Sequence, residues 1–202
     1  MPRRSDARER MIRSAALLFR ERGIHGTSFA DVLAHSGAPR GSVYHHFRGG
    51  KTQLAEEAIR WAGEFTVAGA AAALVEEDPV AAVGVFGRRW TTILRESDFT
   101  AGCPIVAAAL EGEREPTVRD VAGEVFADWQ ATIAASLHER GLPPARAGSV
   151  ATLLIAAIEG GIIMSRAERS SRPLEQVAAE LEHVMAAALP GDAAAPEARR
   201  AR

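Results

Sequence analysis

The chain has 202 residues, 47% of them hydrophobic and only 5% aromatic, with 24 Lys plus Arg, 26 Asp plus Glu and a formal net charge of −2. That length suffices to bury a core without a structural metal, the single cysteine, Cys103, excludes an internal disulfide framework, and plentiful Ala, Leu, Arg and Glu predict an all-α fold of about nine helices. The small net charge hides a division: residues 1–52 hold ten Arg plus Lys against four Asp plus Glu, the remainder fourteen against twenty-two, so only the first part suits a polyanion.

In chain order, Ser5 or Asp6 can cap a first helix, whose Ile12, Ala15, Ala16 and Phe19 recur at helical spacing until Gly23 ends it. Thr27 or Ser28 opens a second, short helix, with Asp31 placed for a capping box and Phe29, Val32 and Leu33 facing inward. A turn at Ser36, Gly37 and Ala38 leads to a third helix predicted over 39–46, with Pro39 at its first position because proline lacks the amide left unpaired there. Gly49 and Gly50 break the chain, and Lys51 starts a long fourth helix whose stripe of Leu54, Ala58, Trp61 and Phe65 points one way. Further helices are expected over 79–95, 104–111, 116–140, 143–169 and 173–189, and the tail 190–202 has no apolar periodicity and is expected to be disordered.

The longest apolar stretch, around residues 150–158, is interrupted by Glu159 and falls short of the roughly 20 residues of a bilayer span. With no charged-then-apolar leader, a cytoplasmic protein is expected. Catalysis finds little support: Cys103 has no His near it in sequence, no phosphate-cradling glycine loop follows a strand, and the adjacent His45 and His46 point in different directions on a helix. No cofactor and no metal are expected.

Two short helices joined by a glycine-containing turn, the second presenting Arg40, Ser42, Tyr44 and His45, have the dimensions of a helix-turn-helix. Such a helix fits the major groove, and Gly41 removes a side chain that would hold the backbone off DNA. Tyr44 is the only tyrosine and Lys51 the only lysine. Spacing alone leaves both between DNA contact and a bland role, in the core or in solvent.

The stretch GIHGTSFADVLAHSGAPRGSVYHHFRGGKTQLAEEAI resembles the N-terminal domain of the TetR/AcrR family of repressors. Thr27, Gly37, Gly41, Tyr44, His46 and Phe47 fall in that family's register, as do Lys51 and Leu54 after one inserted residue. Pro39 stands where the family has Ser or Thr and the Gly49–Gly50 pair lengthens the next loop; with GCPIVAAALE, these features resemble the LmrA/YxaF-like branch. The resemblance implies that Arg40, Gly41, Ser42, Tyr44 and His45 approach bases and phosphates, with Thr27, Ser28 and Lys51 completing the DNA-facing set and Phe47 plugging a three-helix core.

It further implies a DNA-binding domain over 1–52 and a helical sensing and dimerisation domain over 53–189, binding a near-palindromic operator in double-stranded DNA as a homodimer and released by a small hydrophobic effector. Candidates to line the effector site are Trp61, Phe65, Phe86, Trp90, Cys103, Phe126, Trp129 and Glu159. The segment VATLLIAAIEGGIIM is apolar all round and needs cover on both sides, so Leu153, Ala157 and Gly161, with Val177, Leu181 and Val184 of the last helix, are the candidate dimer residues. The rival reading is a DNA-binding adaptor that answers to a protein partner, with a packed interior and no effector site.

Overall fold

The computed structural model describes residues 4–39, 41–76, 78–111 and 115–189. Among them the chain forms nine helices and no strand: α1 (Arg4–Arg22), α2 (Phe29–Ser36), α3 (Ser42–His46), α4 (Gly50–Glu76), α5 (Pro79–Glu96), α6 (Pro104–Leu110), α7 (Pro116–Glu139), α8 (Pro144–Glu168) and α9 (Arg172–Ala188). The tail 190–202 lies outside the described residues.

Local chemistry sets most of the boundaries. α1 is already helical at Arg4, ahead of the expected cap at Ser5 or Asp6, and ends at Gly23, whose φ of +74° suits a residue without a Cβ. Ser28 caps α2 with a full capping box: its Oγ accepts from the Asp31 amide at 3.2 Å and its own amide donates to Asp31 Oδ2 at 2.8 Å. Gly37, at φ +64°, closes α2. Pro39 does not open the third helix. α3 begins at Ser42 behind Gly41, so proline fixes the turn instead, as its rigid φ allows. α4 starts at Gly50, and a domain cut after residue 52 therefore falls within its first turn.

The head is α1, α2 and α3 closed by the start of α4, around Met11, Ala15, Phe19, Val32, Val43, Phe47, Leu54 and Ala58. Phe47, 1% exposed, plugs this core with the Arg8 guanidinium over its ring at 5.5 Å; Arg8 also pairs with Glu57 of α4 at 2.5 Å. In the body, α4 lies along α7, α7 along α8, α8 along α9 and α9 along α5, with α6 set between α1, α4 and α7. Glycines permit the close approaches: a Cβ on Gly63 of α4 would stand 2.6 Å from Val125 of α7, one on Gly87 of α5 2.6 Å from Ala178 of α9, and one on Gly161 of α8 3.1 Å from Leu174 of α9.

By length and composition α8 could cross a bilayer, against the expectation that no segment is long enough. Glu159 interrupts the apolar run, yet the small and apolar residues on either side of it carry the helix through 25 residues. It packs against both α7 and α9, as the central helix of a bundle does.

Candidate nucleic-acid interface and effector site

The short α3 is held from behind. Val43 and Phe47, each 1% exposed, anchor it in the head core, and the Phe47 amide donates to the Val43 carbonyl at 2.8 Å to end it. The opposite side presents His45, exposed, with Gly41 and Pro39 exposed just before the helix and Arg48 just after. Arg40 lies outside the described residues, as do the side chains of Ser42 and Tyr44. Lys51 follows in the first turn of α4, half-buried. The inserted glycine pair is accommodated by Gly50 at φ +72° and by the Gly49 amide donating to Gln53 Oε1 at 2.8 Å, so the loop is pinned to α4. A Cβ on Gly41 would meet nothing within 4 Å, and its φ of −73° is open to any residue. Neither internal packing nor backbone conformation therefore demands glycine there.

Two residues of the DNA-facing set have structural duties. Thr27 is a correction: it is 1% exposed and its hydroxyl donates to the Gly23 carbonyl at 2.9 Å, bracing the α1–α2 turn instead of reaching outward. Ser28 is exposed but engaged with Asp31, whose carboxyl is held below the usual range by the Ser28 hydroxyl and amide.

The aromatic candidates divide. Trp129 and Trp90 are buried. The Trp129 indole N–H donates to the Gly63 carbonyl at 3.0 Å, locking α7 to α4, and the Phe126 ring meets Trp129 edge-on at 5.7 Å between centroids. Phe86 and Phe126 are partly buried. The stripe predicted along α4 does not stay inward. Leu54 and Ala58 are buried, but Trp61 is half-buried beneath the Arg13 guanidinium, and Phe65 is 55% exposed, stacked on Trp61 with Arg89 over its ring. Phe65 thus stands on the surface and not in the interior of the body.

Cys103, just ahead of α6, and Glu159, in the middle of α8, come together from distant parts of the sequence. The thiol is buried and is pushed well up, first by burial and then by the Glu159 charge. Burial likewise raises the Glu159 carboxyl to about 7, offset in part by its hydrogen bond with the thiol. Oxygen Oε2 of Glu159 is covered by protein and has no hydrogen-bond partner among the described residues.

Sequence reasoning did not single out Glu111, which follows α6. Its two carboxylate oxygens accept from the backbone amides of Ile24 at 3.1 Å and His25 at 2.8 Å, so the end of α6 clasps the turn between α1 and α2. The Gly102 amide adds a bond to the Arg20 carbonyl at 2.8 Å. No local pattern signals contacts 86 and 87 residues apart.

The candidate dimer residues also divide. Gly161 and Leu181 are corrections: Gly161 packs on Leu174 and Val177 of its own α9, and Leu181 is 4% exposed in its own core. Ala157, Val177 and Val184 are half-buried, whereas Leu153 is 46% exposed. Leu153 shares the outer side of α8 with Ile163 and Met164, exposed 50% and 52%, and with Gly160, whose missing Cβ faces open space.

Comparison with known proteins adds the following. The model for bacterial regulatory proteins of the tetR family matches residues 11–58, and that for the LmrA/YxaF-like transcriptional-regulator C-terminal domain matches 79–180. An uncharacterised HTH-type transcriptional regulator of Mycobacterium tuberculosis is 42% identical over 91% of this chain and 96% of its own length. The HTH-type transcriptional regulator LmrA of Bacillus subtilis is 32% identical over 84% of this chain and 91% of its own. The crystal structure of a TetR transcriptional regulator from Chloroflexus aurantiacus superposes with a TM-score of 0.77 at 28% identity, covering 94% of this chain and 98% of that one. With a helix-turn-helix head in the family's register and a helical body of the LmrA/YxaF-like type, the chain is a transcriptional regulator of the TetR family, not an enzyme.

Proposed function

We propose that the chain is an effector-responsive repressor that grips a near-palindromic operator as a homodimer in the cytoplasm, without a membrane partner, and lets go when a small, largely hydrophobic molecule binds the body. The observation that carries the DNA-binding half is Gly41, a glycine required by neither packing nor φ, at the entry of a helix anchored from behind by Val43 and Phe47. A bare backbone at that position lets double-stranded DNA come close. Arg40, Ser42, Tyr44 and His45 are assigned to bases and phosphates, Ser28 to the flank, and Lys51 to a phosphate reached from α4.

The exposed apolar side of α8, with Leu153, Gly160, Ile163 and Met164, is assigned to the partner protomer, with Ala157, Val177 and Val184 at its margin. A two-fold pair would set its recognition helices about 34 to 36 Å apart, on successive major grooves of one duplex face. The effector site is assigned to the body around Cys103 and Glu159, with Trp90, Trp129, Phe86 and Phe126 as aromatic walls. Domain roles follow: DNA recognition over 1–52 and sensing with dimerisation over 53–189.

Release is a population shift. α6 carries Cys103 at its entry and Glu111 at its exit, so a ligand that moves its first turn pulls on the Ile24 and His25 amides while α4 pivots. A coupling of about 1 to 3 kcal/mol changes operator affinity by roughly 5- to 150-fold. Gel retardation with DNA from upstream of the chain's own reading frame tests the DNA half. A discrete shift is expected, weakened in Arg40→Ala with preference relaxed by about 1 to 3 kcal/mol at one position. Equal mobility of free and protein-treated DNA in dilute buffer refutes it.

A further inference from the structure

Resting on the effector-responsive reading above, we propose that Glu159 receives a hydrogen bond from an N–H or O–H group on an otherwise apolar effector, and that anionic effectors are turned away. Oε2 of Glu159 is covered by protein and has no partner among the described residues. Among the described residues the only other buried side-chain nitrogen or oxygen atoms without a hydrogen bond are Arg20 Nε and Glu57 Oε2, and several buried polar groups are served. The Trp129 indole N–H has the Gly63 carbonyl, Ser165 Oγ takes the Leu174 amide at 3.1 Å, and Thr27 has the Gly23 carbonyl. Glu57 Oε2 lies 2.5 Å from an Arg8 nitrogen. The one side chain that bears on the ionisation of Glu159 among the described residues is the Cys103 thiol, a weak donor.

The surroundings favour an apolar frame for the ligand. Ile105 and Ala108 of α6 and Ile158 and Ile162 of α8 are buried in the same hydrophobic core as Cys103. An entirely apolar ligand would leave Oε2 orphaned and exclude water from it further. Above about pH 7, where the carboxyl is ionised, an anionic one would add like-charge repulsion where little solvent screens it. A donor alone relieves both, and a protonated amine or a phenol supplies the same chemistry at that oxygen.

Calorimetric titration of the full-length protein at about pH 8, where Glu159 is ionised, with three probes on one naphthalene frame tests this: 2-naphthylmethylammonium, 2-naphthol and 2-naphthoate. Either donor probe is expected to bind the wild type about tenfold or more tightly than naphthoate, and Glu159→Gln is expected to bring that ratio close to one. The tighter of the two donors identifies a cationic or a neutral partner group. Naphthoate binding as tightly as the donors, binding by none of the three, or a ratio unmoved by Glu159→Gln would overturn the proposal. Retardation of the upstream DNA is measured on the same preparations. Where the wild type still shifts DNA, those failures strike the effector chemistry alone, whereas a wild type that shifts no DNA removes the regulator reading beneath it.

Discussion

Replacing Glu159 by glutamine removes a titrating group while keeping its shape, and the structure says how much that is worth and at which pH. Burial lifts the carboxyl from an ordinary value of 4.5 to about 7, so the folded chain keeps a proton that the unfolded chain releases. The favourable contribution of the protonated group is complete below about 4.5. It is lost as pH rises through 7. At about 1.4 kcal/mol for each tenfold change in proton affinity, the ionised carboxylate costs the fold roughly 3 kcal/mol, of which about 2.5 is incurred between pH 5 and pH 8. The neighbouring Cys103 thiol, pushed well above its own ordinary value, stays protonated throughout and does not blur the window. Urea denaturation of wild type and Glu159→Gln, at one protomer concentration and at several pH values, gives the difference directly. Glutamine is expected to gain on the wild type by about 2.5 kcal/mol from pH 5 to pH 8. A difference that stays flat across that range would show that the carboxyl is solvated and would refute the reasoning.

Further outcomes follow from single contacts. Lys51→Ala should weaken binding to all DNA sequences alike and lower the salt slope of log Kd by about 1, as read by anisotropy titrations at several salt concentrations. Glu111→Ala frees the Ile24 and His25 amides, and should leave upstream-DNA affinity within a few-fold while reducing effector-induced release by roughly 0.5 to 2 kcal/mol of coupling. Gly63→Val forces a side chain into Val125 and should cost about 1 to 3 kcal/mol of stability in thermal melts. Ile163→Arg places a charge on the exposed apolar side of α8, and light scattering should find it monomeric at concentrations where the wild type is a dimer.

Most helices were readable because their ends are written in local chemistry. Proline opens α5, α6 and α7, glycine closes α1 and α2, and the Ser28–Asp31 pair caps α2. What a helical period cannot say is which neighbour covers a face. By its spacing the α4 stripe points one way, but Leu54 and Ala58 are buried in the core, Trp61 is half-buried against it, and Phe65, two turns beyond Ala58, faces outward. The apolar run of α8 calls for cover on both sides; α7 and α9 cover one, Gly161 serves its own α9, and the exposed side runs through Leu153, Ile163 and Met164. Thr27 looked like a cap or a DNA contact because a hydroxyl after a glycine suits either; its bond to the Gly23 carbonyl decides for the turn. The DNA-facing candidates come from the family's register along one stretch of sequence, whereas the pairing of Cys103 with Glu159 and the grip of Glu111 join segments far apart in the chain and leave no local trace.

The most direct test of the central claim is an anisotropy titration of the full-length protein against labelled duplex DNA from upstream of its own reading frame, followed from low to physiological salt. Saturation at two protomers per operator, with affinity falling steeply as salt rises and exceeding that for an unrelated duplex, is the predicted result. An anisotropy that does not move even at low salt, or that rises equally with any duplex, would contradict it.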